Sequence, residues 1–427
     1  MYKVLAMILA GGMGTRLEPL TLHRAKPAVP FGGKYRIIDI VMSNFVNSGI
    51  FNIAVLTQFK AESLIDHIET GWQLQMGTLA GGITVNPAQQ RVRKDWYLGT
   101  ADAVYQNGDI ILDYDPRFIV ILAGDHIYKM NIKDMIEYHL DRGSDMTISA
   151  ISVPVAKAAN TYGVIEVDDQ YNVVGFEEKP AEPKPLPNDP TRCLVSMGNY
   201  VFNRDLLVFA FTEDAAKEYV SKEKLKAMIE ADPAAHEHFS THDIGYDLIP
   251  FLHRSGLKIL VYDFANNRVP GVSGNEIAYW RDVGGISEYY DANMDVCGTQ
   301  PTFNLYNDLW PLRSSQPAAA PAKFALTSEL FNSVISEGCI ISQARVINSV
   351  MGYNVRLEVN SSVAFSVLFN GVSIGRDAKI RRTIVDKYVT IPPGVQIGYN
   401  PEEDQARGFL VSPGGITVVP KRYHFGG

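Results

Sequence analysis

A chain of 427 residues is too long for one ordinary hydrophobic core, so two or more domains are expected. Its 46% hydrophobic and 20% charged residues are those of a soluble globular protein, no apolar run is long enough to cross a bilayer, and a formal charge of −8 argues against bulk nucleic-acid binding. The three cysteines, Cys193, Cys297 and Cys339, lie far apart with no Cys/His ligand spacing, which supports neither a disulfide framework nor a zinc site and makes the cytoplasm the expected location.

The first element is a short apolar run at residues 4–9, bounded by glycine, as expected of a strand buried on both faces of a parallel sheet. Ala10-Gly11-Gly12-Met13-Gly14-Thr15-Arg16 follows at the carboxyl end of that strand, where open α/β sheets place their ligands. Its glycines leave no Cβ between backbone N–H groups and an approaching phosphate. A dinucleotide fingerprint would need glycine where Leu17 stands, and a Walker A loop would need Gly-Lys-Ser/Thr. What remains is a glycine-rich loop with its own cations, Arg16 and Lys26, the equipment of a polyphosphate site.

Short apolar runs at 53–57, 118–122, 146–153 and 259–262 alternate with helical patterns at 132–140 and 217–230. Residues 1–295 are therefore expected to form an α/β domain around a mostly parallel sheet. Proline-rich residues 177–190 are expected as an extended surface connection. The stretch Pro317-Ala318-Ala319-Ala320-Pro321 marks a linker within residues 296–325. From 326 to 427 the period changes: Val334, Ile340 and Val346, then Ile374 and Ile380, then Val385, Ile391 and Ile397 recur every six positions. A six-residue period predicts a parallel β-helix, although Ser361 and Ser373 interrupt it and an evenly spaced β-sandwich has a similar pattern.

Gly12, Gly14, Arg16, Pro19, Thr21, Lys26 and Pro27 fall in register with G-x-G-x-R-x-x-P-x-T-x-x-x-x-K-P, and here the chain resembles the sugar-nucleotide pyrophosphorylases. The continuation Phe31-Gly32-Gly33-Lys34-Tyr35-Arg36-Ile37-Ile38-Asp39 is similar to their bacterial adenylyl branch, and the resemblance covers essentially the whole chain. It implies a Rossmann-like nucleotidyltransferase domain followed by a left-handed parallel β-helix that serves oligomerisation and regulation. It also implies transfer of the adenylyl group of ATP to α-D-glucose 1-phosphate, with Mg²⁺ as cofactor, giving ADP-glucose and pyrophosphate for α-glucan (glycogen) synthesis. The family's assembly is a homotetramer, its regulators are anionic small molecules, and neither nucleic acid nor membrane is a partner.

The same register implies the site. Ala10, Gly11, Gly12, Gly14 and Thr15 would hold the triphosphate, with Gln89, Gly99 and Thr100 framing the base. The amides of Gln89 and Gln90, beside Arg91, could read an adenine edge. Arg16, Lys26 and Asp125 would be catalytic, and Asp125 with Asp282 would bind the metal. Tyr97, Gly163, Glu178, Lys179, Ser196 and Asp243 would form the glucose 1-phosphate pocket. His126 is given a structural role, because a sugar phosphate is already an anionic nucleophile and needs no general base. Arg36, Arg381 and Arg382 are candidates for an effector site. His23 and Pro30 depart from some bacterial relatives, which leaves the effector unspecified. The alternatives are a UTP- or dTTP-dependent transferase and a non-catalytic regulatory subunit or scaffold of the same architecture.

Overall fold

The computed structural model describes residues 2–72, 81–89, 96–315 and 317–426. One mixed sheet organises the N-terminal part. Its strands are β1 (Val4–Ala10), β2 (Ile53–Thr57), β3 (Ile83–Pro87), β4 (Phe118–Ala123), β5 (Met146–Pro154), β6 (Gly163–Val167), β7 (Val173–Glu178), β8 (Arg192–Asn203) and β9 (Ile259–Asp263). Their spatial order is β7-β6-β8-β4-β1-β2-β3, with β5 pairing to β8 and β9 to β5. The strands β4, β1, β2 and β3 run parallel, and β8 joins antiparallel to β4. In β1, Ala6, Ile8 and Ala10 enter the core on one face while Leu5 and Met7 enter the core on the other. Side chains alternate along a strand, so a strand covered on both faces needs this unbroken apolar run.

The chain steps outward from β1 to β2 and β3, then returns to lay β4 on the opposite side of β1. This reversal opens a crevice at the carboxyl ends of β1 and β4. Leu9 pairs with Ala123, and the Gly124 N–H donates to the Leu9 carbonyl at 2.9 Å. The glycine loop and Asp125 therefore leave the sheet side by side.

Helix α1 (Ile37–Asn47) begins where the Arg36 N–H donates to Asp39 Oδ2 at 2.8 Å. Asp39 is fully buried and also accepts hydrogen bonds from His67 Nε2, Trp72 Nε1 and Ser314 Oγ, each at 2.7 Å. Burial alone would raise its pKa, but His67 and these hydrogen bonds hold the carboxyl below its usual range. The bond to Ser314 ties the segment between the two parts back onto α1.

Residues 323–419 wind through three mainly parallel sheets of five, five and six strands. Lys323 pairs with Ile340, Arg356 with Ser373, and Ser373 with Thr390, so most coils take 17 residues. That is one residue short of three hexads, which corrects the strict six-residue period. The inward positions run Leu357, Val363, Leu368, Ile374, Ile380, Val385, Ile391, Ile397, in steps of five or six. Ser361 and Ser373 interrupt the expected period because Val363 and Ile374 hold the inward register. Near the start, Ile341 is inside, Ile340 faces out and Val334 is only half-buried. At one corner the backbone N–H groups of Ser349, Ser366 and Thr383 donate to the hydroxyls of Ser333, Ser349 and Ser366 at 3.1–3.2 Å, so hydroxyls satisfy backbone groups where the chain turns. Parallel pairing from coil to coil is incompatible with a β-sandwich.

The β-helix packs directly on the N-terminal part. Leu20, Phe31 and Ile37 share a core with Tyr289 of α3 (Ile286–Met294) and with Val367, Phe369 and Ile384 of the β-helix. Within this joint Arg24 makes a bidentate ion pair with Asp386, at 3.0 and 2.9 Å, both side chains almost fully buried. No helix among the described residues is long and apolar enough to cross a membrane.

Candidate active site

A cavity of about 610 Å³ opens over the carboxyl ends of β1 and β4. Ala10, Gly11, Gly12, Gly14 and Thr15 line one end of it. Gly14 has φ of +66°, and a Cβ there would lie 3.0 Å from Lys26 Cβ and 3.1 Å from Thr21 Cγ2. Glycine alone supplies both the left-handed backbone and the close approach. The Thr21 hydroxyl donates to the Gly14 carbonyl at 2.8 Å and pins the loop. Arg16, in a single 3₁₀ turn at Thr15–Leu17, reaches Gly284, where an added Cβ would sit 3.3 Å from the guanidinium.

Beside the loop, carboxylates and cations converge. Asp125 follows β4, and Asp282 ends a short ribbon that pairs Trp280–Asp282 with His126–Tyr128, setting Asp282 opposite His126. Lys26 Nζ lies 2.8 Å from Asp125 Oδ2 and 3.3 Å from Asp282 Oδ1. Burial disfavours the Lys26 ammonium, but the two carboxylates outweigh it and hold its pKa above the usual value. Burial also opposes the charge of Asp125, and Lys26 and His126 overcome it, bringing that carboxyl to about 2. His126 Nε2 is 3.6 Å from each aspartate, its ring meets Trp280 edge-on at 5.3 Å, and its Nδ1 is buried without a hydrogen-bond partner among the described residues. Asp125, His126 and Asp282 each present a donor atom within 4.8 Å of the others. Two hard carboxylate oxygens beside the glycine loop fit Mg²⁺.

The opposite end of the cavity is built from β7, β6 and β8. Glu178 pairs with Gly163, where a Cβ would crowd Glu178 Oε2 at 2.7 Å and Phe176 Cζ at 2.6 Å. Burial raises the Glu178 pKa and Asp243 adds to the effect, while Lys222 and Lys179 oppose it. Lys179 has φ of +53°, which turns the chain out of β7 and leaves its Nζ 3.8 Å from Glu178 Oε1. Ser196 lies at a register shift in β8 and its hydroxyl accepts from the Gly198 N–H at 3.2 Å.

Between the two ends, the start of α2 (Thr100–Tyr105) is locked to residues 241–244. The Ala101 N–H donates to the His242 carbonyl at 2.8 Å, the Ile244 N–H to Thr100 Oγ1 at 2.9 Å, and Thr100 Oγ1 to Asp243 Oδ2 at 3.2 Å. A Cβ at Gly99 would collide with the His242 carbonyl. Tyr97, on the wall, accepts from Asn107 Nδ2 through its hydroxyl at 2.8 Å.

All the expected catalytic, metal and glucose 1-phosphate residues line this one cavity, as do the expected nucleotide residues apart from Gln89. Gln89 is exposed just beyond β3 and is not among the lining residues; Gln90 and Arg91 lie outside the described residues. His126, given a structural role by the sequence, sits against both aspartates. Tyr162, Gly245 and Gly284 also line the cavity, and none of the three was assigned a role from the sequence.

The candidate effector residues separate. Arg36 donates to the Ser63 hydroxyl at 3.0 Å and faces Arg24 and Lys387 at the joint between the two parts. Burial, then Arg36 and Arg24, lower Lys387 to about 7 against the pull of Asp386, and Lys421 is lowered by burial and by Arg24. Arg382 instead donates to the Gly414 carbonyl at 2.9 Å and lies over the Tyr290 ring, and Arg381 is exposed on the β-helix. Arg24, Lys387 and Lys421 are thus the cations that the sequence did not single out.

Residues 5–299 match the family model described as nucleotidyl transferase, and residues 320–419 match the GlmU-like C-terminal hexapeptide model, the repeat of left-handed parallel β-helices. The chain is similar to the glucose-1-phosphate adenylyltransferase of Anaeromyxobacter sp. (strain Fw109-5), 46% identical over 99% of this chain and 98% of the relative. It is also 46% identical to the protein of that name from Thermus thermophilus, over 99% of both chains. The one from Cutibacterium acnes is 44% identical over 98% of this chain and 97% of its own length.

Proposed function

The chain belongs to the glucose-1-phosphate adenylyltransferases of the nucleotidyl transferase family, and on that premise we propose how its cavity makes ADP-glucose from ATP and α-D-glucose 1-phosphate. The observation that carries the assignment of roles is the convergence of the glycine loop, Arg16, Lys26, Asp125 and Asp282 at one end of a cavity that has Glu178 and Lys179 at the other.

The loop amides and Arg16 bind the triphosphate. Lys179 neutralises the phosphate of glucose 1-phosphate, Glu178 and Asp243 accept from sugar hydroxyls, and Gly99 and Thr100 bring the base against backbone. A sugar-phosphate oxygen attacks the α-phosphorus in line; a new P–O bond forms, the bond to the β-phosphate breaks, and pyrophosphate leaves. Arg16 and the loop amides take up the charge that develops on the leaving group. Asp125 and Asp282 would hold Mg²⁺, which supplies further neutralisation and alignment of phosphate oxygens when bound. No proton is removed from the nucleophile, so His126 serves the carboxylates rather than acting as a base.

The cations Arg24, Arg36, Lys387 and Lys421 support an anionic effector site at the joint, with Arg381 and Arg382 outside it. A cytoplasmic homotetramer is proposed from the family's habit. The exposed Phe324, Leu326 and Phe331 on the first β-helix coil support contact between subunits, which sedimentation velocity tests. For substrates, the test is pyrophosphate release with each nucleoside triphosphate and each hexose 1-phosphate in the presence of Mg²⁺. ATP with glucose 1-phosphate should be preferred, and a preference for UTP or dTTP would overturn the assignment.

A further inference from the structure

Lys26 stands where a divalent cation would also be drawn. Its Nζ bridges Asp125 Oδ2 at 2.8 Å and Asp282 Oδ1 at 3.3 Å, the two carboxylates assigned above to the metal. The side chain is only 9% exposed, and Gly14 closes against its stem. Two ionised carboxylates this close repel each other, and partial burial strengthens the repulsion. The ammonium removes it for as long as no other cation is present. An ammonium and a divalent ion cannot share the space between the same two oxygens, so the arrival of one displaces the other.

We infer that Lys26 is a stand-in cation: in the nucleotide-free protein its ammonium occupies the divalent-cation position, and it moves to phosphate oxygens when metal and triphosphate arrive together. The inference rests on the proposed function for the role of the two aspartates. Lys26 Cβ already packs beside the glycine loop, so side-chain torsions alone carry Nζ from the carboxylates toward the loop. Metal entering without nucleotide would leave the displaced ammonium without an anion, so free metal binds weakly. Metal with a triphosphate provides the ammonium with a new partner. The same residue thereby offsets part of the negative charge of the resting site and ties metal binding to the presence of substrate.

The test is a titration of the full-length, nucleotide-free protein with Mn²⁺ alone, following free Mn²⁺ by electron paramagnetic resonance. Lys26→Met should tighten Mn²⁺ binding by about tenfold or more, because a unit charge at this distance is worth several RT. Lys26→Arg, which keeps the charge, should bind as weakly as the wild type. Adding Asp125→Asn to Lys26→Met should abolish the tight binding and so place the ion on the aspartate pair. Should Lys26→Met fail to fold, Lys26→Gln carries the same expectation. Unchanged or weaker Mn²⁺ binding in the neutral variants overturns the stand-in role, as does tight binding by Lys26→Arg. Tight binding that survives Asp125→Asn overturns both this role and the metal assignment. A wrong substrate assignment would appear instead in the pyrophosphate-release assay and would leave the Mn²⁺ series unchanged.

Discussion

Lys26 in the cavity and Lys387 at the joint between the two parts are both largely buried lysines, yet their surroundings push them in opposite directions. Lys26 stands between two carboxylates that keep it charged, whereas Lys387 stands among Arg24, Arg36 and Lys421 and falls to about 7. Burial disfavours the ammonium in both places, so the sign of the neighbouring charge decides the outcome. The aspartate pair of the resting cavity already holds a cation, which it exchanges for another when substrate arrives. The joint carries uncompensated positive charge and gains from any anion that fits.

The largest effect is expected where the balance is catalytic. Asp125→Asn should lower turnover by about a thousandfold or more, with far-UV circular dichroism and cooperative unfolding retained. Near-normal pyrophosphate release by that variant would remove the cavity from the comparison. At the joint, Arg24→Met leaves Asp386 buried without its partner and should cost about 3 kcal/mol of stability in denaturant unfolding. The double variant Arg24→Met/Asp386→Leu should recover most of the loss, and failure to recover would mean that packing rather than charge dominates there.

A smaller change belongs to Lys179, which is half exposed and paired only loosely with Glu178 at 3.8 Å. Lys179→Met should raise KM for glucose 1-phosphate by about thirtyfold with a lesser effect on kcat, as expected for a group that positions a phosphomonoester. An unchanged KM would move the sugar phosphate elsewhere in the cavity.

The smallest effect is the pH response of the joint. Lys387 has a lowered pKa in the folded chain, so between about 7 and the ordinary lysine value the unfolded chain binds the extra proton. Stability from this group therefore rises with pH across that window. A bound anion favours the protonated lysine, so sulfate should raise the melting temperature more at pH 6.5 than at pH 8.5. Lys387→Met should flatten both trends in differential scanning fluorimetry, and an unaltered pH dependence would show that other groups carry it.

The glycine-loop end of the cavity was legible because its parts are local in sequence. Gly11, Gly12, Gly14 and Arg16 lie within one turn and its flank, and Asp125 directly follows a run that can only be a buried strand. The opposite end was legible through family register, since Gly163, Glu178, Ser196 and Asp243 are ordinary residues until β6, β7, β8 and the turn after Asp243 come together. The neighbours of His126 were not legible, because Asp282 reaches it only through the ribbon that pairs Trp280–Asp282 with His126–Tyr128. The β-helix was recognisable from its period, but the inward register was not, because five-residue steps recur among the hexads and shift which residue points inside.

By itself the sequence determined the kind of chemistry: a glycine loop with its own cations after a buried strand, carboxylates at the ends of other apolar runs, and a repeat too regular for a second α/β core. These are short-range patterns, written by backbone geometry and alternation along single elements. Only the tertiary structure decided which charges meet. Arg24 and Asp386 are separated by 362 positions, and Lys26 and Asp282 by 256, so no local pattern could show that one lysine is held between carboxylates while another is crowded by cations. Charge interactions act through space and depend on burial, and both are set by the way the sheet and the β-helix pack together.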